Sequence, residues 1–596
     1  MPASTRDIES EHGVLFAQQS QLPRLPVPDL RTTLAKYSES LEPLLPPDKL
    51  AHSKRVIQEF AESAQGQELQ QRLEARALDP TCANWLEEWW NDLSYMGYRD
   101  PVIPYVSYHY SFNDDPLCVR PNQRAAKLIA GAMVFRQAIV DGSLLPETIK
   151  SGALCSHSYK FMFNACRIPQ KPSDICRTVP YAGNDTVVVM RNAQFFLLPL
   201  VQDGEPLTQV EIELVLDRIV AQADASAAVP VGLLTADNRD SWTENRQRLV
   251  NAGNSAVLDA IESSAFAIAL EKSQPITREE FSHAIWHGDG RSRWFDKPCQ
   301  FVVCDNVRAG FNGEHSMMDG TPTLRLVQHV IENTSPPPST EPANVRDCTF
   351  EQLHFRTPPA IVAAVKAAES LFVEGTGKQH LAVLNYTAYG KEEIKRLGCS
   401  PDAYIQLALQ LAYTRLHGCA RPTYESSMTR KFLHGRTETC RSVTRDSVAW
   451  CRAMMAPQSM TSSNEERVRL FQTALATHTR LVREAVEGQG VDRHLLGLRM
   501  VMHPNETKPE IFEDPAYAYS SHWYLSTSQV SSENFTSYGW SEVTPKGYGI
   551  AYNIRKECLV IHIACMRNEH ALNSDHLAQH FETALDDVRS MLLTQR

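Results

Sequence analysis

Three consecutive prolines in Ser335-Pro336-Pro337-Pro338-Ser339-Thr340-Glu341-Pro342 constrain this chain more than any other feature. Each proline fixes φ and removes a backbone donor, so the segment continues neither a helix nor an interior strand and reads as a stiff connector. Helix-like and strand-like patterns alternate on both sides of it. Before it, Leu30, Leu34, Tyr37, Leu41 and Leu44 fall on one helical face that ends at Pro46-Pro47. Residues 49–77 read as a second amphipathic helix, and the apolar runs at 186–190 and 195–198 flank Arg191-Asn192-Ala193-Gln194 in the pattern of a hairpin. After the prolines come a helix at 359–372, a strand at 381–386 and a long helix from Ser400. Such interleaving predicts an α/β chain with mixed sheets. With 596 residues, the chain exceeds what one core holds, so more than one domain is expected.

The net charge of -11 argues against a general nucleic-acid binder, which needs a basic surface. Fourteen cysteines contain no Cys-x-x-Cys pair and no zinc-type spacing, so reduced thiols and no metal are expected. No apolar run spans a bilayer; the one at 128–135 meets Arg136. The N-terminus carries Arg6 against Asp7, Glu9 and Glu11, a poor match to a mitochondrial presequence, and Leu593-Thr594-Gln595-Arg596 is not a peroxisomal signal. A cytoplasmic address is the expectation.

One histidine stands in a chemically suggestive setting. An apolar strand at 300–303 leads to Gly310, Gly313 and Gly320 around Glu314-His315-Ser316-Met317-Met318-Asp319-Gly320. Imidazole titrates near neutrality and can deprotonate a hydroxyl or a thiol. Glycines would let two substrates approach the ring from opposite sides. Asp319 reads as a support for the ring rather than a proton relay. With 20 histidines in the chain, His-x-x-x-Asp also arises by chance. No Gly-x-Ser-x-Gly elbow suggests a serine hydrolase instead.

A second segment suggests phosphate binding. Lys391 and Lys395 are four apart in Tyr389-Gly390-Lys391-Glu392-Glu393-Ile394-Lys395, so a helical turn sets both on one face, either to clamp a phosphate or simply to face solvent. Ser400, Pro401 and Asp402 suit the N-cap, first position and first turn of a helix that buries Ile405, Ala408, Leu409, Ala412 and Leu416 and ends at Gly418. Gly375-Thr376-Gly377-Lys378 lacks the leading Gly and trailing Ser/Thr of a Walker loop.

His-x-x-x-Asp-Gly resembles the signature of coenzyme A-dependent acyltransferases, and its surroundings narrow the resemblance to the carnitine and choline acyltransferase family. The likeness covers nearly the whole chain. It runs through Leu22-Pro23-Arg24-Leu25-Pro26-Val27-Pro28, Asn84-Trp85-Leu86-Glu87-Glu88-Trp89-Trp90, Phe163-Asn164-Ala165-Cys166-Arg167-Ile168-Pro169 and Leu234-Thr235-Ala236-Asp237-Asn238-Arg239-Asp240. It continues through Arg293-Trp294-Phe295-Asp296-Lys297, Tyr424-Glu425-Ser426, Gly435-Arg436-Thr437-Glu438-Thr439 and Ser526-Thr527-Ser528-Gln529. The resemblance implies two chloramphenicol-acetyltransferase-like α/β domains, each a mixed sheet flanked by helices, with an active-site tunnel between them. Residues 76–357 would form the domain bearing His315; residues 1–75 and 358–596 would form the domain binding coenzyme A and carnitine. A monomer is expected. Acetyl-CoA or CoA and L-carnitine or acylcarnitine would be substrates, with no cofactor or prosthetic group.

The same resemblance implies roles residue by residue. His315 is the general base. Lys391 and Lys395 match positions that contact the coenzyme A 3'-phosphate, and Asp402 and Gln529 match further coenzyme A contacts. Another basic contact of the family, in the helix before Gly488, falls on Thr479, with Arg480 beside it. Arg493 matches a carboxylate-binding arginine that choline enzymes lack, though an ion pair with Asp492 or Asp319 is the ordinary alternative. Thr437 and Thr439 match the carnitine pattern, and Tyr424 and Ser426 add hydroxyls. Trp540 matches an aromatic near the trimethylammonium, against the alternative of a core tryptophan. Ser528 would stabilise the oxyanion and Ser526 would orient substrate. A gapless count from Ser526-Thr527-Ser528 to Gly547-Tyr548-Gly549 places Tyr538 where short-chain members carry a bulky residue, while Gly539 next to it would imply longer chains. The expected activity is reversible transfer of a short acyl group, acetyl preferred, to the carnitine hydroxyl. The rivals are a medium-chain carnitine acyltransferase, a choline acetyltransferase and a non-enzymatic acyl-CoA sensor.

Overall fold

The computed structural model describes residues 13–333, 345–456, 463–567, 570 and 572–594, so the proline connector lies outside the described residues. The chain is α/β, and its two large sheets are both mixed. Sheet one contains β1 (Tyr108–Phe112), β2 (Thr186–Arg191), β3 (Gln194–Pro199), β4 (Phe266–Glu271), β5 (Cys299–Cys304), β6 (Ala309–Gly313) and β7 (Glu351–Leu353). Sheet two contains β8 (Gln379–Tyr386), β9 (Thr423–Met428), β10 (Thr437–Arg441) and β11 (Leu525–Gln529), then, beyond β12 (Phe535–Gly539), β13 (Tyr548–Ile554) and β14 (Leu559–Met566). The first runs β7-β3-β2-β4-β5-β6-β1-β12 and the second β8-β14-β13-β11-β9-β10. In the first, β4 is parallel to β2 and β5; in the second, β11 is parallel to β9 and β13.

Strand β4 shows why the first sheet is central. Phe266, Ile268 and Leu270 feed one apolar core, whereas Ala267 and Ala269 feed the core on the opposite face. Alternation along a pleated strand produces this division, and burial on both faces removes the polar alternation of a half-exposed strand. The hairpin expected around residues 191–194 is β2–β3, closed by Asn192 and Ala193 at φ 52° and 62°.

The N-terminal helices differ from expectation at one joint. Residues 49–77 form two helices, α2 (Pro47–Glu62) and α3 (Ala64–Leu78), after α1 (Leu30–Leu41). The break is at Ser63, which is extended and accepts from the Gly66 amide at 2.9 Å. A serine N-cap competes effectively with helix continuation. These helices share a core with Val491, Leu495 and Leu498 from the far end of the sequence.

The helix α7 (Pro401–His417), which follows α5 (Pro359–Gly377) and α6 (Lys391–Arg396), is more enclosed than its amphipathic pattern predicts: every residue from Ala403 to Tyr413 is buried. Ser400 occupies its N-cap position, but the hydroxyl accepts no helix amide; Pro401 starts the helix and Gly418 ends it at φ 71°. Strand β12 crosses between the halves. It comes after β11 of sheet two yet pairs with β1 of sheet one, Tyr110 opposite Tyr538 and His109 opposite Gly539. A Cβ on Gly539 would lie 2.3 Å from the His562 ring, so this crossing admits only glycine there. Among the described residues, no helix is long and apolar enough to cross a membrane. All fourteen cysteines are free thiols.

Candidate functional site

A cavity of about 530 Å³ lies where the two sheets approach, lined by His315, Asp319 and Tyr538 from one side and Ser526, Ser528 and Arg493 from the other. His315 follows β6, and Asp319 sits at the N-cap position of α4 (Gly320–Glu332) without capping it. Its carboxylate instead accepts from Arg436 at 2.8 Å. Arg436 also donates to the His315 carbonyl at 3.0 Å and the Ser316 carbonyl at 2.5 Å, so one guanidinium fixes the backbone that leaves the catalytic candidate. From behind, Glu314 accepts from Arg167 at 3.1 Å and from the Ser316 hydroxyl at 2.6 Å. Arg167 in turn pairs with Asp174 at 2.7 Å, and Asp174 with Arg239 at 2.7 Å.

The imidazole packs against Tyr95 and Tyr108, each with its centroid 5.1 Å away. Its Nδ1 is 3.7 Å from Asp319, too far for a hydrogen bond. Burial among these rings lowers the His315 pKa below its ordinary 6.5; the Asp319 charge opposes that and the Arg436 charge reinforces it. The ring is therefore neutral at pH 7 and able to accept a proton. Burial pushes the Asp319 carboxyl up, but Arg436 more than reverses this and keeps it ionised.

The opposite wall gathers most of the remaining candidates. Tyr424 and Ser426 come from β9, Thr437 from β10, Ser526, Ser528 and Gln529 from β11, and Trp540 follows β12. Arg493 projects from the helix Asp492–Met500, anchored because the neighbouring His494 bonds Thr33 at 2.7 Å and Gln70 at 2.9 Å. The Arg493 guanidinium lies 3.5 Å from the Trp90 ring centroid and donates to the Thr437 carbonyl at 3.0 Å and hydroxyl at 3.4 Å. Neither carboxylate alternative holds it: Asp492 pairs with Arg441 at 2.8 Å and Asp319 with Arg436. The nearby Glu438 is turned to backbone amides of Thr439 and Arg493, and burial pushes its carboxyl up to about 7. Among the described residues, no carboxylate forms an ion pair with Arg493.

Tyr538 stands on the cavity, whereas Gly539 is turned to His562. The phenol donates to the Ser528 carbonyl at 2.6 Å, and its ring meets Tyr110 and Trp540 at 6.0 and 5.8 Å. Trp540 is half-buried on the same wall and packs against the core of the first sheet.

Four expected residues lie off this cavity. Thr439 is across from Ser426 in the ladder, yet its buried hydroxyl makes no hydrogen bond and it borders a separate small pocket beside Lys36. Lys391 and Lys395 occupy α6, outside both large cavities, with exposed Lys395 4.0 Å from Glu392. Asp402 faces a second cavity of about 480 Å³ that shares Ser426, Met428 and Gln529 with the first. There it accepts from Tyr552 at 2.7 Å. His478, from α8 (Asn464–Val486), approaches Glu425 at 3.1 Å and Asp402 at 3.6 Å. Burial lowers its pKa, but the two carboxylates overcome that and raise it to about 10, so the imidazolium persists. Sequence reading missed His478, and it missed the bracing role of Arg436 although the motif contains it; both depend on pairings between distant segments. The same holds for the His/Glu groupings Glu87–His157–His434 and Glu425–Cys440–His478, which no local spacing reveals.

A family model described as Choline/Carnitine o-acyltransferase matches residues 25–583. A mitochondrial carnitine O-acetyltransferase of Saccharomyces cerevisiae is 35% identical over 97% of this chain and 88% of its own length. The carnitine O-acetyltransferase of Rattus norvegicus is 34% identical over 97% of this chain and 95% of its own. A choline O-acetyltransferase of Danio rerio is 31% identical over 99% and 95%. Among solved structures, the trichothecene 15-O-acetyltransferase of Fusarium sporotrichioides aligns over 85% of this chain and 92% of its own, with a TM-score of 0.36 and 10% identity.

Proposed function

The chain belongs to the choline/carnitine O-acyltransferase family, and from that premise we propose that it transfers a short acyl group, acetyl preferred, reversibly between coenzyme A and the hydroxyl of carnitine. One observation carries the choice of alcohol: Arg493 lines the cavity and, among the described residues, forms no ion pair. A buried cation without a counter-ion is costly, and a substrate carboxylate supplies the missing partner bidentately. Carnitine has that carboxylate and choline does not. Thr437, Tyr424 and Ser426 add polar contacts on the same wall, and the Trp540 face is available to a trimethylammonium group.

Transfer is direct, in a ternary complex. Neutral His315 takes the carnitine hydroxyl proton as the oxygen attacks the thioester carbon. The tetrahedral oxyanion is met by the Ser528 hydroxyl, while Ser526 orients substrate. Collapse breaks the carbon–sulfur bond, and His315 returns its proton to the thiolate. Coenzyme A lies along the second cavity, by Asp402 and Gln529, with its 3'-phosphate towards Lys391 and Lys395. Tyr538 fills the space beside Ser528 that a longer acyl chain needs, which favours acetyl over octanoyl.

The test is thiol release with acetyl-, octanoyl- and palmitoyl-CoA, each crossed with carnitine and choline. Acetyl-CoA with carnitine should be the fastest pair; comparable turnover with choline would sink the carnitine assignment. His315→Ala should lower kcat by about 10²–10⁴. Near-normal turnover in that variant would refute the scheme.

A further inference from the structure

Helix α8 forms one wall of the second cavity with His478, Thr479, Val482, Arg483 and Val486. Thr479 is the position where a basic contact is expected and missing; its hydroxyl donates to the Leu475 carbonyl of its own helix at 2.8 Å. The cation beside it does not compensate. Arg480 pairs with Glu484 at 2.9 Å and approaches Glu39 of α1 at 3.7 Å, away from the cavity it does not line. His478 is charged but lies between Glu425 and Asp402.

Arg483 differs from both. It is four residues after Thr479, one helical turn along the same face, exposed and on the cavity wall. Among the described residues, its guanidinium has neither an ion-pair nor a hydrogen-bond partner. Of the described residues lining this cavity, His478 and Arg483 are the only cations, so among them Arg483 brings the only uncommitted positive charge. An anion entering here meets that charge first, beside two carboxylates already held by His478. Guanidinium matches phosphate geometry with parallel N–H donors, and its stem allows the head to move to the ligand.

We propose that Arg483 is a phosphate-binding residue for coenzyme A, carrying one turn further along α8 the contact that Thr479 cannot make. The proposal rests on the reading of the second cavity as the coenzyme A side. It concerns binding and leaves His315 and the acyl transfer untouched.

The test compares Arg483→Ala and Arg483→Lys with the unaltered protein on acetyl-CoA, acetyl-dephospho-CoA and S-acetylpantetheine, at saturating carnitine. Arg483→Ala should raise KM for acetyl-CoA roughly tenfold, the scale of one charge-assisted hydrogen bond, with kcat moving far less. Arg483→Lys should recover most of that loss. S-acetylpantetheine, which has no phosphate, should show no change. If the effect vanishes already with acetyl-dephospho-CoA, the partner is the ribose phosphate; if it persists there, the partner is the diphosphate. Either result places Arg483 on the nucleotide. An equal KM change with all three thioesters, or none with acetyl-CoA, overturns the proposal. If the unaltered protein releases no thiol from acetyl-CoA with carnitine, the functional reading fails by itself. Calorimetric titration with CoA and with pantetheine then tests Arg483 alone, and an Arg483→Ala protein that binds CoA as tightly as the unaltered one overturns it.

Discussion

Arg436 and Arg493 line one cavity and each lies against an aromatic ring, 4.4 Å from the Tyr95 centroid and 3.5 Å from the Trp90 centroid. Their hydrogen bonds separate them. Arg436 engages Asp319, Asn91 and the carbonyls of His315 and Ser316, so its charge is neutralised and its donors are occupied. Among the described residues, the Arg493 guanidinium donates only to Thr437. Burial of two such similar groups costs about the same desolvation, but among the described residues only Arg436 forms an ion pair. The contrast divides the site: among the described residues Arg436 has its counter-ion in the protein, and Arg493 forms no ion pair.

The sharpest way to break this contrast is Arg436→Leu. It leaves Asp319 buried without its partner, and the expected loss is about 3–5 kcal/mol of stability, seen as an earlier melting transition, together with most of the activity. Adding Asp319→Leu should restore part of the stability but not the activity, because removing both charges removes the desolvation cost without rebuilding the His315 backbone support. A single variant that melts like the unaltered protein would show that Arg436 is no more committed than Arg493.

Arg493→Leu should behave in the opposite way. The melting temperature should hold or rise slightly, since an unpaired cation has been replaced by an apolar group of similar size. KM for carnitine should rise about 10- to 100-fold, the equivalent of one or two charge-assisted bonds, while KM for choline should fall or stay level. A parallel loss with both alcohols would mean that Arg493 supports the fold and does not read the carboxylate.

What the sequence made legible follows the range of each interaction. Strand β2 and its return β3 were readable because apolar runs and a two-residue turn are local, and the helix from Pro401 carries its own start and stop residues. Ser63 was overlooked because one cap is a weak signal inside a long periodic stretch. The resemblance singles out His315 and Arg493, and the structure brings both to one cavity. The bond from Arg436 to Asp319 joins residues 117 apart, and β12 pairs with a strand from the other half of the chain; neither has a local signature. Thr439 shows the reverse case: it stands in the motif opposite Ser426, yet it borders the small pocket beside Lys36 and not the cavity. Thr437 and Thr439 are two apart and share a face of β10, so the motif gives the right face without a place on the cavity wall.

Tyr538 extends the contrast to the end of the cavity proposed to take the acyl group, because its hydroxyl is already engaged with the Ser528 carbonyl at 2.6 Å. Tyr538→Gly should raise kcat/KM for octanoyl-CoA about tenfold, the order set by a few methylenes in an apolar pocket, and lower that for acetyl-CoA. No gain with octanoyl-CoA would remove Tyr538 as the size limit. The neighbouring Gly539 offers no alternative gate, since it is packed on His562.

The smallest effect expected is in the pH profile, and it separates the two arginines most cleanly. On the proposed mechanism transfer needs neutral His315, so kcat/KM should be level around pH 7 and fall on the acid side with a midpoint below the ordinary histidine value of 6.5. Burial depresses that midpoint, the Asp319 charge raises it and the Arg436 charge lowers it. Asp319→Asn keeps the shape but removes the one raising charge of that pair while Arg436 remains, so the acid limb should move to still lower pH. Arg493→Lys keeps a cation at the far wall and should leave the limb where it was, even as KM for carnitine rises. If Asp319→Asn moved the limb upward, Asp319 would be acting on His315 through geometry rather than charge. If Arg493→Lys moved it at all, the two sides of the cavity would share one electrostatic system, and the division between a finished wall and an unfinished one would not hold.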